Sequence, residues 1–81
     1  MKVTVKLFAR ARDLAGTAHV ELDLADGSRV LDLKSRLARE CPALAPLVPN
    51  LLTAIGTEYA ADDAVLSTNS EVAFFPPVSG G

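Results

Sequence analysis

Residues 18–41 read AHVELDLADGSRVLDLKSRLAREC, and the change of rhythm inside them decides the fold. In the first part Val20, Leu22 and Leu24 alternate with His19, Glu21 and Asp23, the two-residue period of a half-buried strand. Asp26-Gly27 is a turn signal. Ser28 stands where a side-chain oxygen can accept from a backbone N–H two or three residues on and so start a helix. Beyond it Val30, Leu33, Leu37 and Cys41 recur every three or four residues, one stripe of an α-helix, with Lys34, Arg36 and Arg39 off that stripe. Pro42 stops the helix near Cys41.

Outward from this stretch the pattern continues. Residues 2–8, KVTVKLF, alternate in the same way, with Val3, Val5 and Leu7 on one side. Residues 9–16, ARARDLAG, break the alternation and allow a single helical turn ended by Gly16. Two alternating runs joined by a loop predict an antiparallel hairpin. On the other side, Pro42, Pro46 and Pro49 make a stiff connector. Leu51–Ile55 reads as a buried strand turned by Gly56, and Glu58–Ala60 as a short edge strand. Turns follow at Asp62-Asp63 and at residues 67–70, and Glu71–Phe75 is the last strand. Pro76 and Pro77 cannot donate to a ladder, so pairing weakens there.

One main helix cannot cover both faces of a four- to five-stranded sheet. The expected class is α+β, with the helix on one face and the other partly wet. The helical crossover and the long return to the last strand make the sheet mixed, a β-grasp arrangement like that of ubiquitin. Residues 1–77 are expected to form this domain and residues 78–81 a flexible diglycine tail.

The 81 residues carry 49% apolar side chains, which excludes disorder as the starting expectation. No apolar run approaches the roughly 18–20 residues that cross a bilayer. Lys2, Lys6, Arg10 and Arg12 interrupt any h-region of a signal peptide. Net charge is −2, with the charges scattered, so neither nucleic acid nor an anionic membrane is the expected partner. With Cys41 alone no internal disulfide forms, and the expected compartment is the cytoplasm. A chain this short buries only about 60–65% of its unfolded surface, which leaves little room for an internal active site.

Side-chain catalysis finds little support. His19 sits on the polar side of a strand and Cys41 on the apolar helix stripe, so no nucleophile–base pair is suggested. No Cys/His spacing suits a metal, and no glycine pattern cradles a phosphate. No bound cofactor is expected. The informative end is Gly80-Gly81. Placed after a strand and two prolines, these residues make a thin tail leaving the body in a set direction, and Val78 to Gly81 reach roughly 13 Å when extended. Such a tail suits activation of a carboxylate at Gly81. Adenylation by ATP would make it a mixed anhydride open to a sulfur or nitrogen nucleophile.

Two segments then resemble a known family, the small sulfur-carrier subunit of molybdopterin synthase. They are Leu7-Phe8-Ala9-Arg10-Ala11-Arg12-Asp13-Leu14-Ala15-Gly16 and Glu71-Val72-Ala73-Phe74-Phe75-Pro76-Pro77-Val78-Ser79-Gly80-Gly81. The family often carries Asn after the third strand, where this chain has Ile55-Gly56. The resemblance implies that an activating enzyme uses ATP to adenylate Gly81, that sulfur is installed as a thiocarboxylate, and that the tail enters the large catalytic subunit. There the sulfur passes to cyclic pyranopterin monophosphate. The implied assembly is a heterotetramer with two copies of each subunit. The chain is then a non-catalytic carrier.

Ordering four tail residues costs on the order of 4–8 kcal/mol, so docking elsewhere must offset it. If the first and last strands are neighbours, Phe8 and Phe75 share an apolar patch on the open face, each worth roughly 1.5–3 kcal/mol on burial. The alternative is that twist or the proline bend tucks Phe75 into the core. Pro76, Pro77 and Val78 complete the expected partner-contacting set. Arg10 and Arg12, expected just before the loop after the first strand, are candidates for pairing with acidic groups on a partner. Three rival readings stand beside the carrier: a protein modifier forming isopeptides, an adaptor without terminal chemistry, and a carrier feeding thiazole or tRNA thiolation.

Overall fold

The computed structural model describes residues 1–77. Its elements in chain order are β1 (Lys2–Leu7), α1 (Ala9–Ala15), β2 (His19–Asp23), α2 (Val30–Glu40), β3 (Leu52–Ile55), β4 (Glu58–Tyr59) and β5 (Glu71–Phe75). Two 3-10 turns, Pro42–Leu44 and Val48–Asn50, lie between α2 and β3. The five strands form one sheet in the order β2-β1-β5-β3-β4. The β1–β5 pair is parallel, while β1–β2, β3–β5 and β3–β4 are antiparallel. This is the mixed sheet of an α+β, ubiquitin-like β-grasp fold.

Alternation sorts the sheet into two faces. Val3, Val5 and Leu7 of β1, Leu22 of β2, and Val72 and Phe74 of β5 are buried on one face. Val30, Leu33 and Leu37 of α2 pack against them in a single core. Removing a side chain such as Leu33 would cost about 2–5 kcal/mol, because so well packed a site cannot collapse fully around the void. Leu44 and Val48, carried by the proline-fixed 3-10 turns, close one end of this core, so the stiff connector has a packing role.

Three local expectations change. The segment after β1 is a seven-residue helix, not a single turn, and Arg10 and Arg12 lie inside it. It buries Ala11 and ends at Gly16 in the left-handed region (φ 74°), which only glycine adopts cheaply. Ser28 does not cap α2. Its hydroxyl donates back to the Ala25 carbonyl at 2.6 Å and tightens the turn. The cap position belongs to Arg29, whose N–H donates to the Asp32 carboxylate at 2.8 Å. The negative charge of Asp32 also suits the positive end of the helix dipole.

The third change concerns Lys34, expected off the apolar stripe. It is only 6% exposed. Its ammonium donates to the Leu51 carbonyl at 3.0 Å and pairs with an Asp62 carboxylate oxygen at 2.9 Å. Position 34 is four residues after Val30 and three before Leu37, so the buried face is wider than a narrow stripe. The long aliphatic stem packs inward while the ammonium keeps these two partners, tying α2 to the approach to β3 and to the loop after β4.

Candidate functional site

Parallel pairing of β1 with β5 sets the site. Leu7 stands opposite Phe74, both buried on the core face. The next residues, Phe8 and Phe75, therefore point to the open face at the same end of the sheet. The Phe8 N–H extends the ladder by donating to the Phe74 carbonyl at 3.3 Å. The two rings meet edge to face, with centroids 6.4 Å apart and planes at 72°. Phe75 is half-buried, and Phe8 is 46% exposed. Phe75 is thus not swallowed by the core.

A third ring, Tyr59, joins them. It lies 5.9 Å from Phe75 at 67° and is 75% exposed. It comes from β4, which reaches this face through β3, where Ala54 stands opposite Tyr59 and Leu52 opposite Phe75. Leu52 is also exposed. Edge-to-face contacts of this kind add about 0.5–1.5 kcal/mol each and hold the rings in one arrangement. Exposed aromatic and aliphatic groups gathered on one sheet face make this a candidate contact surface. Sequence reasoning did not single out Tyr59. The signal was its place in a two-residue edge strand, invisible until β4 is known to fold back onto β3.

Pro76 is half-buried and Pro77 exposed, directly after Phe75. The chain therefore leaves the sheet beside the aromatic cluster. Val78, Gly80 and Gly81 lie outside the described residues. Arg10 and Arg12 are exposed on α1, which starts immediately after Phe8, and neither has an ion-pair partner among the described residues. Ala9 opens α1 with φ at 54°, a left-handed conformation that costs a non-glycine residue about 1–2 kcal/mol. This sharp bend carries the chain from Phe8 on the open face into α1, whose Ala11 reaches the core.

Next to the rings the open face dips. Lys6, Phe8, Glu71, Ala73 and the Gly56-Thr57 turn line a groove of about 430 Å³. The Lys6 ammonium pairs with the Glu71 carboxylate at 2.7 Å on its rim. Among the described residues, no three His, Cys, Asp or Glu side chains gather as metal ligands. His19 is exposed on β2, while Cys41 ends α2, half-buried. No helix is long and apolar enough to cross a membrane among the described residues.

The chain matches the model of the ThiS family over residues 5–81. A molybdopterin synthase sulfur carrier subunit of Arabidopsis thaliana is 33% identical over 81 residues, covering all of this chain and 84% of the relative. The subunit of that name from Escherichia coli (strain K12) is 38% identical over 81 residues, covering 98% of this chain and 99% of the relative. Among solved structures, SAMP1 of Haloferax volcanii superposes with a TM-score of 0.88 at 29% identity, covering both chains completely.

Proposed function

The chain belongs to the ThiS family, alongside molybdopterin synthase sulfur carrier subunits that match it nearly end to end, and from that membership we propose that it is the sulfur-carrying small subunit of a molybdopterin synthase. The observation that carries the reading is the parallel β1–β5 pair. It roots the segment after Phe75 beside Phe8, Phe75 and Tyr59, so one docking event covers the rings and delivers the tail.

In this reading an activating enzyme joins the carboxylate of Gly81 to AMP, consuming ATP and releasing pyrophosphate. A donor of sulfide-level sulfur then attacks the acyl carbon, the bond to AMP breaks, AMP leaves, and a thiocarboxylate remains. Gly80 and Gly81, without side chains, enter the large catalytic subunit, and the sulfur passes to cyclic pyranopterin monophosphate. ATP belongs to the activating enzyme's site and the pterin to the large subunit's site. Phe8, Phe75, Tyr59, Pro76, Pro77 and Val78 make the apolar contact, while Arg10 and Arg12 steer acidic groups of the partner. The assembly is a heterotetramer with two of each subunit, working in the cytoplasm.

The test is reconstitution. The thiocarboxylated chain, the large subunit and the pterin precursor together should yield a dithiolene. No product with authentic partners overturns the reading.

A protein-modifier reading is favoured by one specific observation, the full-length likeness to a small archaeal modifier protein. Both readings share the adenylate. Intact mass spectra of chain purified from its own cells separate them: oxygen-to-sulfur exchange at Gly81 supports the carrier, and lysine conjugates support the modifier.

A further inference from the structure

The sheet has two outer edges, and they differ. β4 is two residues long, too short to seat another strand. β2 forms the other edge with five residues, His19–Asp23. An edge of that length is a template for strand addition unless something closes it.

The phase of pairing fixes which groups look outward. The Leu7 N–H donates to the Ala18 carbonyl and the Leu24 N–H to the Met1 carbonyl, both at 2.8 Å. Between these two pairs, every second opposed pair exchanges bonds, so Val20 and Leu22 bond to β1. The backbone groups of His19, Glu21 and Asp23 therefore face away from the sheet. Two side chains occupy the ends of that row. The Thr17 hydroxyl donates to the His19 carbonyl at 3.0 Å and accepts from the His19 N–H at 3.4 Å. From α2, the Arg36 guanidinium donates to the Asp23 carbonyl at 3.2 Å.

We infer that Thr17, Arg36 and Glu21 together close the β2 edge against strand addition by a second copy of this chain. A two-fold antiparallel pair of β2 strands sets His19 opposite Asp23 of the copy, and Glu21 opposite itself. Every hydrogen bond of that pairing, except those between the two Glu21 residues, has to displace Thr17 or Arg36 from its partner. At the centre two carboxylates then face each other, and like charges directly opposite repel. The inference is independent of the carrier reading, since it concerns the rim of the sheet and not its open face.

Sedimentation velocity of the full chain over a wide range of concentration tests it. Thr17→Val, Glu21→Thr and Arg36→Ala combined open the edge. A second triple variant carries Glu21→Pro in place of Glu21→Thr. Proline there removes an outward N–H and leaves the bonds to β1 intact. The parent should stay monomeric. The open variant should dimerise about tenfold more strongly or better, and the proline variant should behave as the parent. Amide exchange at position 21 locates the contact, and should slow as the open variant dimerises. A monomeric open variant overturns the inference. So does a dimer that survives Glu21→Pro or leaves exchange at position 21 unchanged, because it forms elsewhere. A parent that dimerises with a slowed Glu21 amide overturns it too. If the loss of Arg36 unsettles α2, Thr17→Val with Glu21→Thr decides alone. That pair should still dimerise more strongly than the parent, and parental behaviour overturns the inference.

Discussion

Phe8 and Phe75 are consecutive partners to the buried pair Leu7 and Phe74, and their rings touch edge to face 6.4 Å apart at the point where β5 ends. One register therefore fixes both the exposed rings and the point at which the chain leaves the sheet. Phe8→Ala and Phe75→Ala should each weaken association with the large subunit, by about 1.5–3 kcal/mol if the ring is fully covered in the complex. A double-mutant cycle in the free chain, followed by urea unfolding, should return a ring–ring coupling of about 0.5–1.5 kcal/mol.

Lys34 and Asp62 make the second prediction. Asp62→Ala leaves the buried ammonium with the Leu51 carbonyl as its partner among the described residues. Stability should fall by about 1–3 kcal/mol, measured as a lower urea midpoint. Lys34→Met, which keeps the stem and removes the charge, should cost less than Lys34→Ala, because the packing of the stem survives.

Thr53 offers the opposite sign. Its hydroxyl is buried in β3 with no hydrogen-bond partner among the described residues. Thr53→Val keeps the branched shape and removes an unsatisfied polar atom. It should raise stability by about 0.5–2 kcal/mol, seen as a higher denaturant midpoint at unchanged slope.

The tail makes the fourth. Because the core is built from residues up to Phe74, adding one residue after Gly81 should leave the thermal midpoint unchanged. The same addition should abolish thiocarboxylate formation in an assay with the activating enzyme and ATP. Retained sulfur transfer by the extended chain would place the chemistry elsewhere.

Much of this was legible in the sequence, and for a simple reason. Strands with one wet face must alternate, so Val3, Val5, Leu7, Val72 and Phe74 announced their side. Once β1 and β5 are neighbours, the pairing of Phe8 with Phe75 follows from arithmetic. What stayed hidden depended on contacts distant in sequence. Lys34 reads as a surface lysine until Leu51 and Asp62 are brought to it. Tyr59 reads as an edge residue until β4 folds onto β3. Ser28 and Arg29 compete for the helix start within one residue, and the local turn to Ala25 decides between them.

The position of β5 has a temporal consequence. It lies between β1 and β3, in the middle of the sheet, yet among the described residues it follows every other element in the chain. Until it emerges, β1 has no parallel neighbour, β3 has lost its longer partner, and the strands on either side of the gap have nothing to join them. Contacts so distant along the chain form late and together. A chain whose β5 has not yet paired therefore has no assembled aromatic face, because Phe75 is not held beside Phe8 and Tyr59.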